Sequence, residues 1–149
     1  GLGARKMSDA LSWAITQFPS PLNHWINLGI AGHKTLAVGT ALLVRSVQQS
    51  GHDDVIELEY DLEHSFPTRP VITINNSRTD YDELAAFDME AYAFIRHLIP
   101  QTNQENCLCV KVISDNLQNP PTRNKAKISQ LIANHMPAID KLAQLLQNR

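Results

Sequence analysis

The segment from Cys107 to Ile113 constrains the fold more than any other part of the sequence. It is apolar except at Lys111, and Val110, Val112 and Ile113 are β-branched. Such a segment is typical of a buried strand, which has no face left for water. Because both faces of a buried strand must be covered by other elements, and helices are the usual cover, the segment indicates an α/β protein.

Helical and strand patterns alternate along the rest of the chain. Apolar residues recur at helical spacing from Met7 to Phe18, from Met89 to a stop near Pro100, and from Ile128 to Leu146, where one long helix tolerates or kinks at Pro137. The expected strands are the short apolar or alternating segments Ile26–Gly29, Thr40–Val44, Val55–Tyr60, Val71–Ile74 and Leu108–Ile113. This order predicts a single domain over residues 1–149, with three α/β/α layers and a mixed central sheet.

Composition and charge exclude several classes of protein. The chain of 149 residues is 43% apolar and 19% charged, which is unlike a disordered protein. The net charge is −2, so binding to nucleic acid by bulk electrostatics is not expected. No apolar segment approaches the roughly 20 residues that cross a bilayer, so no membrane association is expected either.

The cysteines, Cys107 and Cys109, are interpreted as small buried apolar residues in a reducing, cytoplasmic compartment. Their C-x-C spacing supplies too few ligands for a zinc site, and no pair of histidines has the spacing of a helical zinc motif. The sequence therefore predicts no metal site and no cofactor.

Three segments are expected at the ends of strands or at a strand-to-helix turn, where ligands of α/β sheets bind. They are Gly29-Ile30-Ala31-Gly32, Asp88-Met89-Glu90 and Ser114-Asp115-Asn116. These segments lie far apart in the sequence, so residues that only cap separate elements would meet by chance alone. We therefore expect Asp115, Glu90 and the glycine turn to border one cleft.

Each of these segments has a structural and a functional interpretation. Asp115 follows an apolar strand and is partly desolvated, which favours the protonated form that a general acid needs, but it could instead cap the next turn. Glu90 could bind the hydroxyls of a sugar or cap the helix that follows it, and Asp88 could equally be that cap. Gly29 and Gly32 leave room either for a flat ligand or for close packing of a helix on the sheet. From spacing alone, the structural roles are favoured.

Short motifs follow one another along the chain in a recognisable order. They are Gly1-Leu2-Gly3, Asn27-Leu28-Gly29-Ile30-Ala31-Gly32, Leu36-Ala37-Val38-Gly39-Thr40, Asp88-Met89-Glu90-Ala91 and Val112-Ile113-Ser114-Asp115-Asn116. This order resembles the nucleoside phosphorylase/nucleosidase superfamily, and most of all the bacterial proteins related to methylthioadenosine/S-adenosylhomocysteine nucleosidase. The resemblance covers nearly the whole chain, and its most specific part is Met-Glu-Ala followed at this separation by Ile-Ser-Asp.

The resemblance implies a nucleoside site. In that superfamily the Met-Glu pair holds the ribose, and the Asp that follows Ile-Ser protonates the purine leaving base. By resemblance, Met89 would pack on the sugar, Glu90 would bind its hydroxyls, and Asp115 would be the general acid to N7. Cleavage of an N-glycosidic bond passes through a cation-like ribosyl group, which a carboxylate stabilises while the departing base takes up a proton.

The glycine turn and Asn27 indicate whether water or phosphate is the nucleophile that attacks the sugar. By resemblance, Gly29, Ala31 and Gly32 would line the side of the base or of the nucleophile, close to Asn27. Phosphorylases carry an Arg at the position of Asn27, where it holds phosphate, and an amide cannot supply that charge, so water is favoured over phosphate. Nucleosidases usually have Ser or Thr where this chain has Ile30, so one polar contact to the nucleophile is missing.

The beginning and the middle of the chain also depart from the family pattern. The sequence opens on Gly1-Leu2-Gly3 rather than Met and shows no signal-peptide pattern. The first strand of the family and its water-activating Glu lie before the residue that matches Gly1, so we expect an N-terminal piece of the natural protein to be absent. The region 75–87 is shorter than the family segment that carries a base-stacking aromatic residue.

Three functional hypotheses follow from these observations. The first is cleavage of the N-ribosyl bond of a purine-type nucleoside, by a nucleosidase rather than a phosphorylase, with water or phosphate as co-substrate. The second is a catalytically degraded relative that binds a nucleoside or acts as a scaffold. The third is a structural component of an oligomer, in which the glycines and carboxylates only cap elements. The family also implies a homo-oligomer, for which Trp13 or Trp25 could supply apolar contacts.

Overall fold

The computed structural model describes residues 3–19, 23–81 and 84–148. Its strands are β1 (Trp25–Gly32), β2 (Ala41–Gln49), β3 (Val55–Glu57), β4 (Thr68–Thr73), β5 (Ala86–Asp88) and β6 (Cys107–Asp115). Its helices are α1 (Gly3–Gln17), α2 (Ala91–Leu98), α3 (Lys125–Ala133) and α4 (Met136–Gln147), and a short 3-10 helix, Gln104–Asn106, precedes β6.

The strands form one mixed six-stranded sheet in the order β3-β2-β4-β5-β1-β6. β1 runs parallel to β6, and β4 runs parallel to both β2 and β5. β2 is antiparallel to β3 and to β6. Because β2 pairs with β6 as well as with β4, the strands β2, β4, β5, β1 and β6 close into a ring. β3 lies outside this ring and pairs with β2.

Helices cover both faces of the sheet. Cys109 and Ile113 of β6 belong to the apolar cluster that includes Phe94 and other residues of α2, whereas Leu108 and Val110 pack in a second cluster with α4. Every residue of β6 is buried, as expected for a strand whose alternate side chains point into two cores. The predicted α/β class, with a mixed sheet between helices, is confirmed.

The predicted strands over 26–29, 40–44, 71–74 and 108–113 overlap β1, β2, β4 and β6. β5 was not among the predicted strands, because a segment of 3 residues shows no periodicity. It pairs with β4 through Val71 and Ala86 and with β1 through Gly32 and Phe87. These pairings place the turn after β5 beside the end of β1.

The strand predicted over Val55–Tyr60 is shorter than its alternating pattern indicates. β3 ends at Glu57, which pairs with Ser46 of β2. The N–H of Leu58 still donates to the carbonyl oxygen of Arg45 over 2.7 Å, but further along β2 the residues Ala41–Leu43 are already paired with β6. The chain therefore leaves the sheet after β3, because the edge that would continue the pairing is occupied.

The single helix predicted from Ile128 to Leu146 is divided in two. α3 ends at Ala133, and α4 begins at Met136 with Pro137 in its first turn. Proline has no N–H to donate to the preceding turn, so it interrupts a helix, but it can occupy a first turn without losing a hydrogen bond. The prediction of one continuous helix was wrong for this reason.

Candidate active site

A cleft of about 390 Å³ opens where β1 and β6 end beside the turn from β5 to α2. The segments in which sequence analysis placed candidate site residues all contribute to its lining. They supply Ala31 and Gly32 from β1, Met89 and Glu90 from the turn before α2, and Asp115 from β6. The structure thus brings together residues that are far apart in the sequence.

The register between β1 and β6 places Gly32 beside Asp115. Ala31 pairs with Ile113, and after an irregularity in the ladder Gly32 pairs with Asp115. The N–H of His33 then donates to the carbonyl oxygen of Asp115 over 3.1 Å. Parallel strands end at the same edge of a sheet, which is why the ends of β1 and β6 share one cleft.

The Asp115 carboxylate is buried and held on both sides. Its Oδ1 accepts a hydrogen bond from the Ser114 hydroxyl, and its Oδ2 accepts one from the Tyr81 hydroxyl. Burial raises the pKa of Tyr81 above its ordinary value, and the hydrogen bond to Asp115 raises it further. The phenol therefore stays protonated and is the donor in this pair.

Asn116, and not Asp115, caps the turn after β6. The Oδ1 of Asn116 accepts hydrogen bonds from the N–H of Gln118 over 3.0 Å and from the N–H of Asn119 over 2.9 Å. An Asn side chain that bonds to the backbone two and three residues ahead is a common turn device. The structural interpretation of Asp115 as the cap of this turn therefore does not apply.

Asp88, and not Glu90, caps α2. The Oδ2 of Asp88 accepts a hydrogen bond from the N–H of Ala91 over 2.8 Å, whereas the Glu90 side chain makes no cap hydrogen bond. The Oδ1 of Asp88 accepts the Thr73 hydroxyl over 2.7 Å, and the Oγ1 of Thr73 accepts the N–H of Tyr92 over 2.9 Å. The side chain of Glu90 therefore does not cap α2, the helix that follows it.

Glu90 faces the first turn of α1. Its Oε1 accepts a hydrogen bond from the N–H of Gly3 over 2.8 Å. The free N–H groups at a helix N-terminus favour a negative charge, so α1 fixes one oxygen of this carboxylate. Gly3 has a φ of +74°, which a glycine adopts without strain. Gly1 and Leu2, the other members of that motif, lie outside the described residues.

A side chain at position 32 would have no space, because Tyr81 and Asp115 lie too close to Gly32. A Cβ atom at this position would lie 2.7 Å from Oδ2 of Asp115 and would collide with the ring of Tyr81. The groups that approach Gly32 are thus the side chains of Tyr81 and Asp115 and not a helix packed on the sheet, and contact with a flat ligand stays a prediction.

Lys111 is a buried cation that sequence analysis did not single out. It is 1% exposed, and its Nζ lies 2.7 Å from Oδ2 of Asp88. Burial, the largest single effect, lowers the pKa of Lys111, but the Asp88 carboxylate together with smaller contributions from neighbouring groups gives a net rise, so the ammonium remains charged. A lone lysine within an otherwise apolar strand was the only sequence signal for this pair, because its partner lies on another element.

Asn27 and Gly29 lie deeper along β1 and are not among the residues that line the cleft. A Cβ atom at Gly29 would lie 3.1 Å from Nζ of Lys111, so this glycine makes room for the lysine. Asn27 pairs with Cys109 across the sheet, and its buried Oδ1 accepts no hydrogen bond from any residue in the described ranges. The role in substrate binding expected for these two residues stays a prediction.

Aromatic side chains form one wall of the cleft. The rings of Tyr81 and Phe87 stack with their centroids 5.7 Å apart and their planes at 29°. The guanidinium of Arg78 lies 5.0 Å from the centroid of Phe87 and forms a salt bridge with Asp80. Sequence analysis missed this wall because the polar segment before β5 has no periodicity. Tyr81 was its only visible signal, as an aromatic residue among polar ones.

No cluster of three or more His, Cys, Asp or Glu side chains in the part of the chain that the structure describes is arranged to hold a metal ion. Among the same residues, no helix is both long enough and apolar enough to cross a bilayer.

The arrangement of strands and helices is the nucleoside phosphorylase/nucleosidase fold, which confirms at the level of the fold the resemblance noted in the sequence. Its solved neighbours include 5′-methylthioadenosine/S-adenosylhomocysteine nucleosidases. The nucleosidase from Chlamydia trachomatis superposes with a TM-score of 0.67 at 24% identity, over 93% of this chain and 73% of that chain. No family model matches the sequence, and no curated protein matches it.

Two further nucleosidases match over nearly the whole chain. The enzyme from Colwellia psychrerythraea, solved in complex with adenine, has a TM-score of 0.68 at 14% identity and covers 99% of this chain and 75% of its own. The enzyme from Streptococcus pneumoniae, solved with the transition-state inhibitor MT-ImmA, has a TM-score of 0.67 at 15% identity and covers 99% of this chain and 78% of its own. At these identities the likeness concerns the fold, so the role of each residue must be argued from the site itself.

Proposed function

We propose that the protein hydrolyses the N-ribosyl bond of a purine-type nucleoside. The observation that carries the proposal is that Asp115 and Glu90 line one cleft while other residues, Asn116 and Asp88, cap the neighbouring elements. A carboxylate that lines a cleft and does not cap its own element is a candidate for chemistry. The fold shared with nucleosidases adds support at the level of the fold.

Asp115 is the proposed general acid. The purine that leaves carries a developing negative charge, and a proton delivered to N7 neutralises it. Both oxygens of Asp115 accept hydrogen bonds in this structure, from Ser114 and from Tyr81. Ser114 is fixed in β6, whereas Tyr81 comes from the segment before β5. In the proposed step the base displaces the Tyr81 hydroxyl from Oδ2, and Oδ2 takes up a proton from solvent before it donates that proton to N7.

Glu90 and Met89 are the proposed ribose contacts. A carboxylate accepts hydrogen bonds at both oxygens, and two vicinal hydroxyls match that geometry. Since the N–H of Gly3 occupies only part of the capacity of Oε1, Glu90 retains acceptor sites for a diol. Its negative charge also stabilises the cationic ribosyl group of the transition state. Met89 lines the cleft beside it and offers an apolar, adaptable surface to the sugar.

Water is the proposed nucleophile. Phosphate requires fixed positive charge, and Asn27 supplies none. Lys111 lies deeper in the protein and is neutralised by Asp88. Of the two arginines that line the cleft, Arg78 forms a salt bridge with Asp80, and Arg123 follows the turn after β6. Ala31 and Gly32 would then line the base side of the cleft, where small residues let a flat ring approach the backbone.

The test is release of free base from a panel of purine nucleosides by the full-length protein, with and without added phosphate. Base release that phosphate does not accelerate supports the proposal. Strict dependence on phosphate assigns a phosphorylase instead. No release from any nucleoside of the panel contradicts the hydrolytic activity.

A second candidate function is binding of a nucleoside without cleavage, as in a catalytically degraded relative. The observation that favours it is that the Tyr81 hydroxyl occupies Oδ2 of Asp115. Calorimetric titration with the same nucleosides separates the two functions, because a binding protein gives saturable heat without base release.

We also propose that the protein is a homo-oligomer. Trp13, in the second half of α1, is 64% exposed, which is unusual for so large an apolar side chain. Trp25, by contrast, is half-buried and packs against the core. Trp13 is therefore the better candidate for a contact with a second copy of this chain.

A further inference from the structure

Lys111 and Asp88 form an ion pair that is almost completely withdrawn from water. Lys111 is 1% exposed and Asp88 is 4% exposed, and the two charged atoms are 2.7 Å apart. In such a pair the cost of desolvation largely offsets the Coulomb attraction, so apolar side chains would hold the fold as well. The contribution of this ion pair therefore lies in the geometry that it fixes and not in the stability of the fold.

Asp88 connects three elements through its carboxylate. It accepts the Thr73 hydroxyl of β4 over 2.7 Å and the N–H of Ala91 in α2 over 2.8 Å, in addition to the ammonium of Lys111 in β6. Charge-assisted hydrogen bonds of this kind are stronger and more directional than neutral ones. Asp88 is thus fixed at the point where the turn to α2 begins.

The space around Lys111 is shaped to receive it. Gly29 lies beside the ammonium, and a Cβ atom there would approach Nζ to 3.1 Å. The charge of Glu90 acts on Lys111 in the same direction as that of Asp88, which places this carboxylate within electrostatic reach of the lysine. The cation is therefore held between Gly29 and Asp88, at the start of the turn that carries Glu90.

We infer that Lys111 is a positioning residue that holds the turn Asp88-Met89-Glu90 in place by acting through Asp88. One end of the turn is fixed by Lys111, and the other end is fixed where Glu90 accepts the N–H of Gly3. Because β6 carries both Lys111 and Asp115, the ion pair also sets the spacing between the proposed sugar contacts and the proposed acid. The consequence for substrate rests on the function proposed above.

The test is the variant Lys111→Met, which keeps much of the length of the side chain and removes its charge. Without the ammonium the turn shifts, and displaced binding groups typically cost on the order of 10- to 100-fold. We expect KM for the nucleoside to rise by about 10-fold or more while kcat falls by a smaller factor. The effect on KM is expected to exceed the effect on kcat because Glu90 moves, whereas Asp115 stays fixed in its strand.

Two further variants separate positioning from a general loss of stability. Asp88→Asn combined with Lys111→Met removes both charges, so no buried carboxylate is left unpaired, and KM is expected to stay raised because the contact that holds the turn is still absent. Val110→Ala removes buried apolar volume from the opposite face of β6. It is expected to lower the melting temperature and to leave KM unchanged.

Hydrogen exchange supplies a readout that needs no substrate. The N–H of Ala91 bonds to Asp88 and that of Tyr92 bonds to Thr73, so both are expected to exchange faster in Lys111→Met and not in Val110→Ala. A wild-type KM together with wild-type exchange in Lys111→Met overturns the inference. So does an equal effect of Lys111→Met and Val110→Ala on KM at an equal loss of melting temperature. If the wild-type protein neither binds nor cleaves a nucleoside, the proposed function fails, and exchange at Ala91 alone decides whether Lys111 holds the turn.

Discussion

At the scale of single residues, Asp115 carries the chemistry that the proposed function needs. Asp115→Asn keeps the size of the side chain and an acceptor oxygen, but an amide cannot deliver a proton to the leaving base. General acid catalysis contributes about 10²- to 10⁴-fold, so kcat is expected to fall by that factor while nucleoside affinity changes little. Single-turnover release of base measures this. Asp9→Asn, an exposed aspartate of α1, is the control, and wild-type turnover in Asp115→Asn removes the catalytic role.

Glu90 permits a second test of the same site. Glu90→Gln retains an oxygen that can accept the N–H of Gly3, so the contact with α1 is expected to survive. The amide lacks the charge that strengthens hydrogen bonds to a diol and stabilises a ribosyl cation. We expect kcat/KM to fall by the equivalent of about 1.5–3 kcal/mol, with both kcat and KM affected. An unchanged kcat/KM at unchanged melting temperature contradicts the assignment.

These residues also show what sequence analysis could reach. Asp115 and Glu90 were accessible because the rule that ligands bind at strand ends applies to any predicted strand. Tyr81 and Lys111 were missed, since their roles depend on partners far away in the sequence, Asp115 and Asp88. No local pattern specifies such a pair, because only the closure of the sheet brings its members together.

At the scale of elements, the end of β1 packs against the segment that carries Tyr81. Gly32→Ala introduces a Cβ 2.7 Å from Oδ2 of Asp115 and into the ring of Tyr81, so one of them must move. We expect a loss of about 1–3 kcal/mol of stability, as for other overpacked sites, together with weaker nucleoside binding. Urea unfolding and calorimetric titration measure the two effects.

Gly51→Ala is the matched control for that experiment. Gly51 has a φ of +81° and no atom within 4 Å of a Cβ placed there. Alanine at this position is strained by about 1–2 kcal/mol, but it touches nothing near the cleft. It is expected to lower stability and to leave binding unchanged. Equal effects of both variants on binding would mean that the contact of Gly32 with Tyr81 and Asp115 is irrelevant to the ligand.

The elements themselves show where local patterns stop being sufficient. The strand over 108–113 was predictable because a short, continuous and β-branched apolar segment is typical of a buried strand. β3 could not be predicted to end at Glu57, because its length is set by β6 occupying the same edge of β2. Strand propensity depends on the residues of one segment, whereas the length of a strand also depends on which other strand pairs with the same edge of its neighbour.

At the scale of the whole molecule, the exposed aromatic residue of α1 predicts self-association. If Trp13 contacts a second copy of the chain, Trp13→Ala is expected to shift the protein towards the monomer in sedimentation velocity. Val55→Ala, a substitution at an exposed apolar residue of β3, is the control. A wild-type protein that is monomeric at micromolar to millimolar concentration contradicts the proposal.

The stability of the whole molecule is expected to fall at alkaline pH. Burial raises the pKa of Cys107 from its ordinary value of 9.0 to about 12 and raises that of Cys109 as well, while the Asp88 carboxylate raises that of Lys111 above 10.5 in spite of its burial. Burial likewise raises the pKa of Tyr60. In this range the folded state holds protons that the unfolded chain releases, so the free energy of unfolding decreases as pH rises.

The free energy of unfolding is thus expected to be insensitive to these groups up to about pH 9 and to fall beyond it, first through the thiols and then through the phenol and the ammonium. Urea titrations between pH 7 and 11 measure the decrease. In a Cys107→Ala/Cys109→Ala variant the part of the decrease that begins near pH 9 should be smaller, because only the later groups remain. A constant free energy up to pH 11 would mean that these thiols and Lys111 reach water in the folded protein. That result would contradict the double-sided burial of β6 on which the fold and the position of Asp115 depend.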